Sequence, residues 1–484
     1  MLIEAFPKLK NSRAVRLVRE FFRSPYYCAL VVFLMACSEL FSWELAIFYV
    51  YLFFGFVICM LDEDMLGLAP IACSGYMTIS AANNVGKNAE TALLKTPQFT
   101  LHFMFIFAAA GILLVSRFIT KLMDREKRGV PNLTYGMVLL GVAYIAAGAF
   151  SGCNWRRSAA FGAAQILSVV LAYFYLYFTV NWKTVPKHYF ISYMSFLGVG
   201  IALEVLGMYA LPNVFVDGAV NRVNLFTGWG IYNNVGGMMA MCIPAPFYFA
   251  ATKKHGWAYA ILGTTFLLST VLTQSRSSIL FGAVIYVISA LTALFCAKGW
   301  ERLKLLVVYG ALLVALLVSM YLLRDRLEKI FRSLVEIGLN PSSRTEIYQA
   351  CWDKFLQSPF LGVGFYETPG GILHEGEMIV LKPAPDGVFI PPRAHNTFFQ
   401  LVASGGAFAL FAYLVHRIET IRLVFHRPNA KKIFLGLCIL ALLLTSLLDC
   451  HFFNFGPAIL YSGLLVFIEC IPPDDPLKRK RKKS

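Results

Sequence analysis

Charge is what this sequence has least of. Only 14% of its 484 residues are Asp, Glu, Lys or Arg, while 58% are hydrophobic. Soluble domains carry about 25% charged residues. A water-soluble globule of this composition would lack the polar surface to cover its core. Other signals are missing too. Eleven cysteines occur, but none form a C-x-x-C pair. Most, such as Cys37, Cys59, Cys242, Cys296 and Cys438, lie inside apolar runs and read as small hydrophobes. The spacing of Cys153, Cys351 and Cys450 suggests no disulfide framework. There is no G-K-[ST] phosphate loop, hence no sign of an ATP-driven pump. His374-Glu-Gly-Glu377 is not the H-E-x-x-H metal signature, and Gly362-Val-Gly364 lacks the setting of a dinucleotide site. No metal and no cofactor are expected. The N-terminus has a long basic region and no small-x-small site closing a short apolar run, so the whole chain is read as mature.

What is present is length of apolar sequence. Mean hydropathy is +0.65. Apolar runs fall near 26–38, 43–61, 65–80, 98–120, 133–152, 158–180, 188–211, 231–252, 256–273, 278–297, 304–323, 397–417, 433–449 and 455–471. A crossing needs roughly 20 such residues. The expected fold is an all-α polytopic integral membrane protein with 12–14 transmembrane helices. The first three runs are the least distinct, because Glu39 and Glu44 interrupt them.

The formal net charge of +16 is distributed as a topology signal. Lys8, Lys10, Arg13, Arg16, Arg19 and Arg23 precede the first run, and Lys478 to Lys483 form a basic tail. Basic clusters beside spans mark the cytoplasmic side, where anionic lipid headgroups hold them. The connections at Lys121–Arg128, Lys183/Lys187, Lys253/Lys254, Lys298–Lys304 and Arg417–Lys432 repeat the bias. The Asp62–Asp64 turn runs against it. The domain organisation expected is a basic cytoplasmic tail (1–25), a bundle (26–323), a large extracytoplasmic loop (324–396), further spans (397–471) and a basic cytoplasmic tail (472–484).

The large loop carries eight Lys/Arg and nine Asp/Glu, a mixture that reads as a small folded subdomain. Leu327, Ile330, Phe331 and Leu334 recur at helical spacing. Ser343-Arg-Thr-Glu346 reads as a capping box opening a second helix, which Pro359 stops. A Pro-rich extended run over 382–392 leads to Arg393-Ala-His395-Asn396.

Arginine at a span edge outside a basic cluster calls for a reason, because it is expensive in lipid. Arg222, Arg276, Arg344 and Arg393 stand so on the predicted outer face, with Arg156 and Arg157. Each is compatible with an ordinary interfacial contact to headgroups. Several on one face also suit bidentate capture of a phosphate or diphosphate. His395 opens a span; it could be structural, or could take a proton from a hydroxyl near neutral pH.

Three stretches resemble the O-antigen ligase and O-antigen polymerase superfamily. They are Thr273-Gln-Ser-Arg276-Ser, the loop helix from Ser343 to the Pro359-Phe-Leu-Gly362-Val-Gly364 turn, and Arg393-Ala-His395-Asn396 with its Gly405-Gly406 continuation. Arg222, followed by Gly228 and Asn233-Asn234, is a weaker fourth. The likeness covers about residues 215–415. It departs from the family at Ala403-Ser404-Gly405, where members often have Glu before the Gly. The resemblance implies a bacterial plasma-membrane glycosyltransferase that uses an undecaprenyl-diphosphate-linked glycan donor and passes it to a glycan or lipid acceptor. It implies His395 as the base or the group that orients the acceptor. It also implies Arg222 and Arg276 on the diphosphate, with Arg344 and Arg393 shaping the loop. Ligase and polymerase stay open. A transporter of the same lipid-linked sugar is the alternative from another class, although such proteins place charges near the midplane in related halves. Glu204 is the main charge inside a span.

Overall fold

The computed structural model describes residues 12–61, 64–82, 97–123, 129–149, 155–211, 214–216, 219–220, 225–322, 324, 344–365, 372–375, 378–381 and 394–470. In order the helices are α1 (Arg13–Phe22), α2 (Pro25–Phe41), α3 (Glu44–Leu61), α4 (Leu68–Ala82), α5 (Pro97–Met123), α6 (Thr134–Ala149), α7 (Trp155–Gln165) and α8 (Ala172–Thr179). A π-turn, Ile166–Leu171, joins the last two into one span. Then come α9 (Tyr189–Tyr209), α10 (Tyr232–Cys242), α11 (Pro244–Thr252), α12 (Gly256–Leu272), α13 (Arg276–Cys296) and α14 (Gly299–Leu322). The chain continues with α15 (Arg344–Gln357), α16 (Thr397–Phe425), α17 (Ala430–Thr445) and α18 (Phe455–Cys470). Among the described residues strands occur only as three two-stranded hairpins: Phe215–Val216 with Ala219–Val220, Phe226–Thr227 with Gly230–Ile231, and Ile372–Glu375 with Met378–Leu381.

The protein is an all-α polytopic membrane protein. Among the described residues each apolar run of the sequence is largely helical, for the reason the composition dictates: in hydrocarbon every backbone N–H and C=O must be satisfied within its own segment. Among the described residues eight helices are long and apolar enough to cross a membrane, or nine if the bent α1–α2 pair is one span. Several of the rest are shorter: α4 has 15 residues, and α6, α17 and α18 have 16 each. At about 1.5 Å per residue, α17 and α18 are about 24 Å long. The turn that joins them is therefore drawn into the bundle, and His451, Phe452 and Phe453 in it are buried.

Glycine sets the closest helix approaches, as small residues do where lipid supplies no hydrophobic drive between helices. A Cβ on Gly136 of α6 would lie 2.6 Å from the His416 backbone of α16. The sequence places the end of the His395 span at 417 and counts Arg417 in a basic connection. The structure corrects this. The helix runs on to Phe425, and Arg417 is buried inside it. The apolar pattern could not show this, because the ring faces that shelter Arg417 come partly from α18 and the turn before it.

Candidate functional site

Helix α15 lies where the loop reading puts it and ends at Gln357, two residues before Pro359. The proposed Leu327–Leu334 helix, Ser343 and the Pro-rich run 382–392 lie outside the described residues. So do Arg222 and Arg393. Arg344 is the first residue of α15. The described site is built from Arg276, His395 and their surroundings.

The loop motif and the helix motif interlock. At Gly406 the backbone of α16 leaves helical geometry (φ 62°, ψ −160°), which breaks the helix. The Pro359–Gly364 turn fills the break. Val363 and Gly364 donate N–H to the carbonyls of Ala403 and Ser404, at 3.0 Å each. In return Ala407 and Phe408 donate to the carbonyls of Pro359 and Phe360, at 2.8 and 3.1 Å. Gly362 has φ +69°, and a Cβ there would stand 2.3 Å from the Ser404 carbonyl carbon. The glycines in both motifs are needed so that two backbones can touch. Ser404, at the departure from the family pattern, accepts a hydrogen bond at its Oγ from Gln400 Nε2 (3.0 Å).

The first half of α16 carries His395 at its entrance. Asn396 caps it, its Oδ1 accepting from Phe398 N–H (2.8 Å) and Phe399 N–H (3.2 Å). Thr397 N–H donates to the Ser446 carbonyl, and Asn396 Nδ2 donates to the Leu447 carbonyl. The helix start is thereby tied to the turn after α17. Tyr348 of α15 stacks on Phe399 at 4.4 Å, and its hydroxyl reaches the His395 carbonyl.

His395 itself has φ 49°, a left-handed conformation that few non-glycine residues adopt. Such strain gathers at functional positions. Its Nδ1 lies 3.5 Å from Asp449 Oδ1, within ion-pair distance but longer than an ordinary N–H···O hydrogen bond. The His395 side chain is 38% exposed and that of Asp449 only 5%. Burial alone would push the Asp449 carboxyl up. The His395 contact and the neighbouring His451 ring outweigh burial and hold it well below the usual carboxylate range. Asp449 Oδ1 also accepts the Cys450 N–H at 2.8 Å. Sequence reasoning missed Asp449. The signal was available: it is a lone carboxylate closing an otherwise apolar run, and such residues are functional candidates by default.

Arg276 begins α13. The preceding turn is buried and internally hydrogen-bonded: Ser275 Oγ accepts from Ser278 N–H and donates to Ser278 Oγ at 2.8 Å. Gln274 in this turn also has positive φ, 56°. Around that rigid turn the Arg276 side chain is exposed. The two motifs meet across α10. A Cβ on Gly236 would lie 2.7 Å from Ser278 and Thr273, and one on Gly237 would lie 2.6 Å from His451 Nε2. Asn234 Oδ1 accepts from Asn454 Nδ2 at 3.1 Å. The Phe226–Ile231 hairpin is fastened at the same end of the bundle, Gly228 N–H donating to Glu39 Oε2.

Residues 258–414 match a family model described as O-Antigen ligase. Over that segment, which is less than half of the chain, the sequence is similar to the O-antigen ligase family. The match spans the Ser-Arg276 turn, α15, the glycine interlock and His395, and it ends before Asp449. No curated protein matches the chain. That likeness supports an O-antigen ligase-type membrane enzyme of glycan assembly. The partner of His395 comes from the part of the bundle beyond the matched segment.

Proposed function

We propose that the chain transfers or polymerises an undecaprenyl-diphosphate-linked glycan on the outer face of the bacterial plasma membrane, with both termini cytoplasmic. The observation that carries this reading is the His395–Asp449 contact at the end of the bundle that also holds Arg276. The connections at the opposite end carry Lys183, Lys187, Lys253, Lys254, Lys431 and Lys432. By the positive-inside rule that end is cytoplasmic and the site end is outer.

In this scheme Asp449 accepts a proton-bearing Nδ1, which leaves Nε2 as the ring nitrogen for the acceptor hydroxyl. As the hydroxyl oxygen bonds to the anomeric carbon, its proton passes to His395 Nε2. The bond from that carbon to the diphosphate breaks, and the diphosphate leaves with its charge. The Arg276 guanidinium meets that charge with a planar fork suited to phosphate oxygens. Arg222 joins Arg276 on the diphosphate in this reading, and Arg344 and Arg393 shape the loop. The acceptor is a second lipid-linked unit in a polymerase and a lipid or surface glycan in a ligase.

The test replaces His395 with Ala and, separately, Arg276 with Ala. Insertion is confirmed, and surface glycan is then followed on gels. Accumulation of single lipid-linked units supports a polymerase. Full-length glycan that is never attached supports a ligase. Normal glycan in both inserted variants overturns the site and favours a transporter, the reading in which lipid-linked sugar crosses without being extended.

A further inference from the structure

Arg417 is a cation in the middle of a span. It lies about three turns past the break at Gly406. Among the described residues no carboxylate pairs with it. Its Nη1 donates to the Tyr461 hydroxyl at 2.6 Å, while Nε and Nη2 are buried with no hydrogen-bond partner. What surrounds it is aromatic. The guanidinium carbon stands 4.3 Å from the ring centre of Tyr413, 4.5 Å from Phe452 and 5.1 Å from Tyr461. The rings pack edge-on around it, Tyr413 against Phe452 at 5.8 Å and Phe452 against Tyr461 at 5.4 Å. A desolvated guanidinium over ring faces is a strong form of cation–π contact. A charge so costly inside a membrane bundle calls for a purpose.

The geometry indicates what that purpose is. Tyr413 and Tyr461 belong to regular helices, but Phe452 does not. It lies in the short turn His451–Phe453, three residues after Asp449. The flanks of this turn are tied by hydrogen bonds: Phe452 N–H to Ser446 Oγ, Gln165 Nε2 to the Phe453 carbonyl and Asn454 to Asn234. The Phe452 side chain itself is held by Arg417 and its ring neighbours. We propose that Arg417 is a positioning residue for the His395–Asp449 pair: it grips the Phe452 ring and so holds the turn that carries Asp449 at the depth His395 can reach. Its consequence for glycan transfer rests on the function proposed above.

The experiment uses the full chain in lipid nanodiscs with 15N-labelled histidine. The readout is the ring 15N signal of His395, which reports its contact with Asp449; Asp449→Asn gives the reference displacement. Arg417→Met and Phe452→Leu are each expected to move the signal in the direction of that reference. The double variant is expected to move it no farther than the larger single change. A signal unmoved in inserted Arg417→Met or Phe452→Leu, or displacements that add, would overturn the proposal. If Arg417→Met fails to insert, Phe452→Leu decides by the same criterion. The ring signal is independent of activity. Retention of glycan transfer by His395→Ala would sink the transferase reading while leaving the Arg417 result to stand or fall alone.

Discussion

His395 Nδ1 lies 3.5 Å from Asp449 Oδ1, and the two residues come from opposite ends of a helical hairpin, α16 before it and the turn after α17 behind it. In the proposed transfer this contact makes the carboxylate the orienting partner of the histidine. Asp449→Asn is therefore expected to lower glycan transfer at least about tenfold, a barrier rise of about 1.4 kcal/mol. His395→Ala should cost more, about 10² to 10⁴-fold, the usual contribution of a positioned base. Turnover of purified, lipid-reconstituted protein checks both. Equal rates for Asp449→Asn and the parent would remove Asp449 from the mechanism.

The Asp449 carboxyl also sets a pH dependence. Its folded value lies below the unfolded one of about 3.9. Its contribution to stability is thus fully present above that unfolded value and is lost as pH falls through the folded one. Removing the carboxylate should therefore weaken the protein near neutrality and flatten the acid arm of its stability profile. Thermal unfolding of Asp449→Asn and the parent, compared across acid to neutral pH, reads this. An unchanged acid arm in the variant would contradict it.

Gly237 keeps α10 clear of His451. An added methyl would meet the ring at 2.6 Å, and both sides are packed. Gly237→Ala should destabilise the protein by about 1–3 kcal/mol, the usual cost of overpacking, and should reduce transfer by displacing the Asp449 turn. A melting temperature and a rate equal to the parent's would show that the turn can yield.

The loop is docked by backbone hydrogen bonds at the Gly406 break. Gly362→Ala would place its Cβ 2.3 Å from backbone at a positive φ. The Pro359–Gly364 turn should then leave the break, and α15 should become sensitive to protease added from the site side. Limited proteolysis with mass mapping would detect new cuts between 344 and 365. An unchanged cleavage pattern would mean the interlock is not what holds the loop.

Arg276 is exposed on a buried, hydrogen-bonded turn, an arrangement that presents a guanidinium while fixing its root. Arg276→Lys keeps the charge but loses the fork. It should raise the KM for a polyprenyl-diphosphate donor by about tenfold or more, with Arg276→Ala worse. If Lys substitutes without loss, Arg276 supplies only charge.

Composition and hydropathy by themselves determined that this chain is a helical membrane protein, because a bilayer leaves an apolar segment no other way to satisfy its backbone. They also located its helices, from Pro25 to Cys470. Residue types in order carried the resemblance that pointed to Arg276 and His395. The remaining decisions belong to tertiary structure. Nothing in the spacing of Gly362 and Gly406 says that two backbones interlock there, since that contact joins segments more than forty residues apart. Nothing local separates Asp449 from an ordinary span-end carboxylate until α17 and α18, each too short to carry their turn clear of the bundle, bring it under His395. Arg417 reads as one more basic residue of a cytoplasmic connection until Tyr413, Phe452 and Tyr461 close around it. Periodicity reports which face of a helix avoids water; it does not report which partner waits across the bundle.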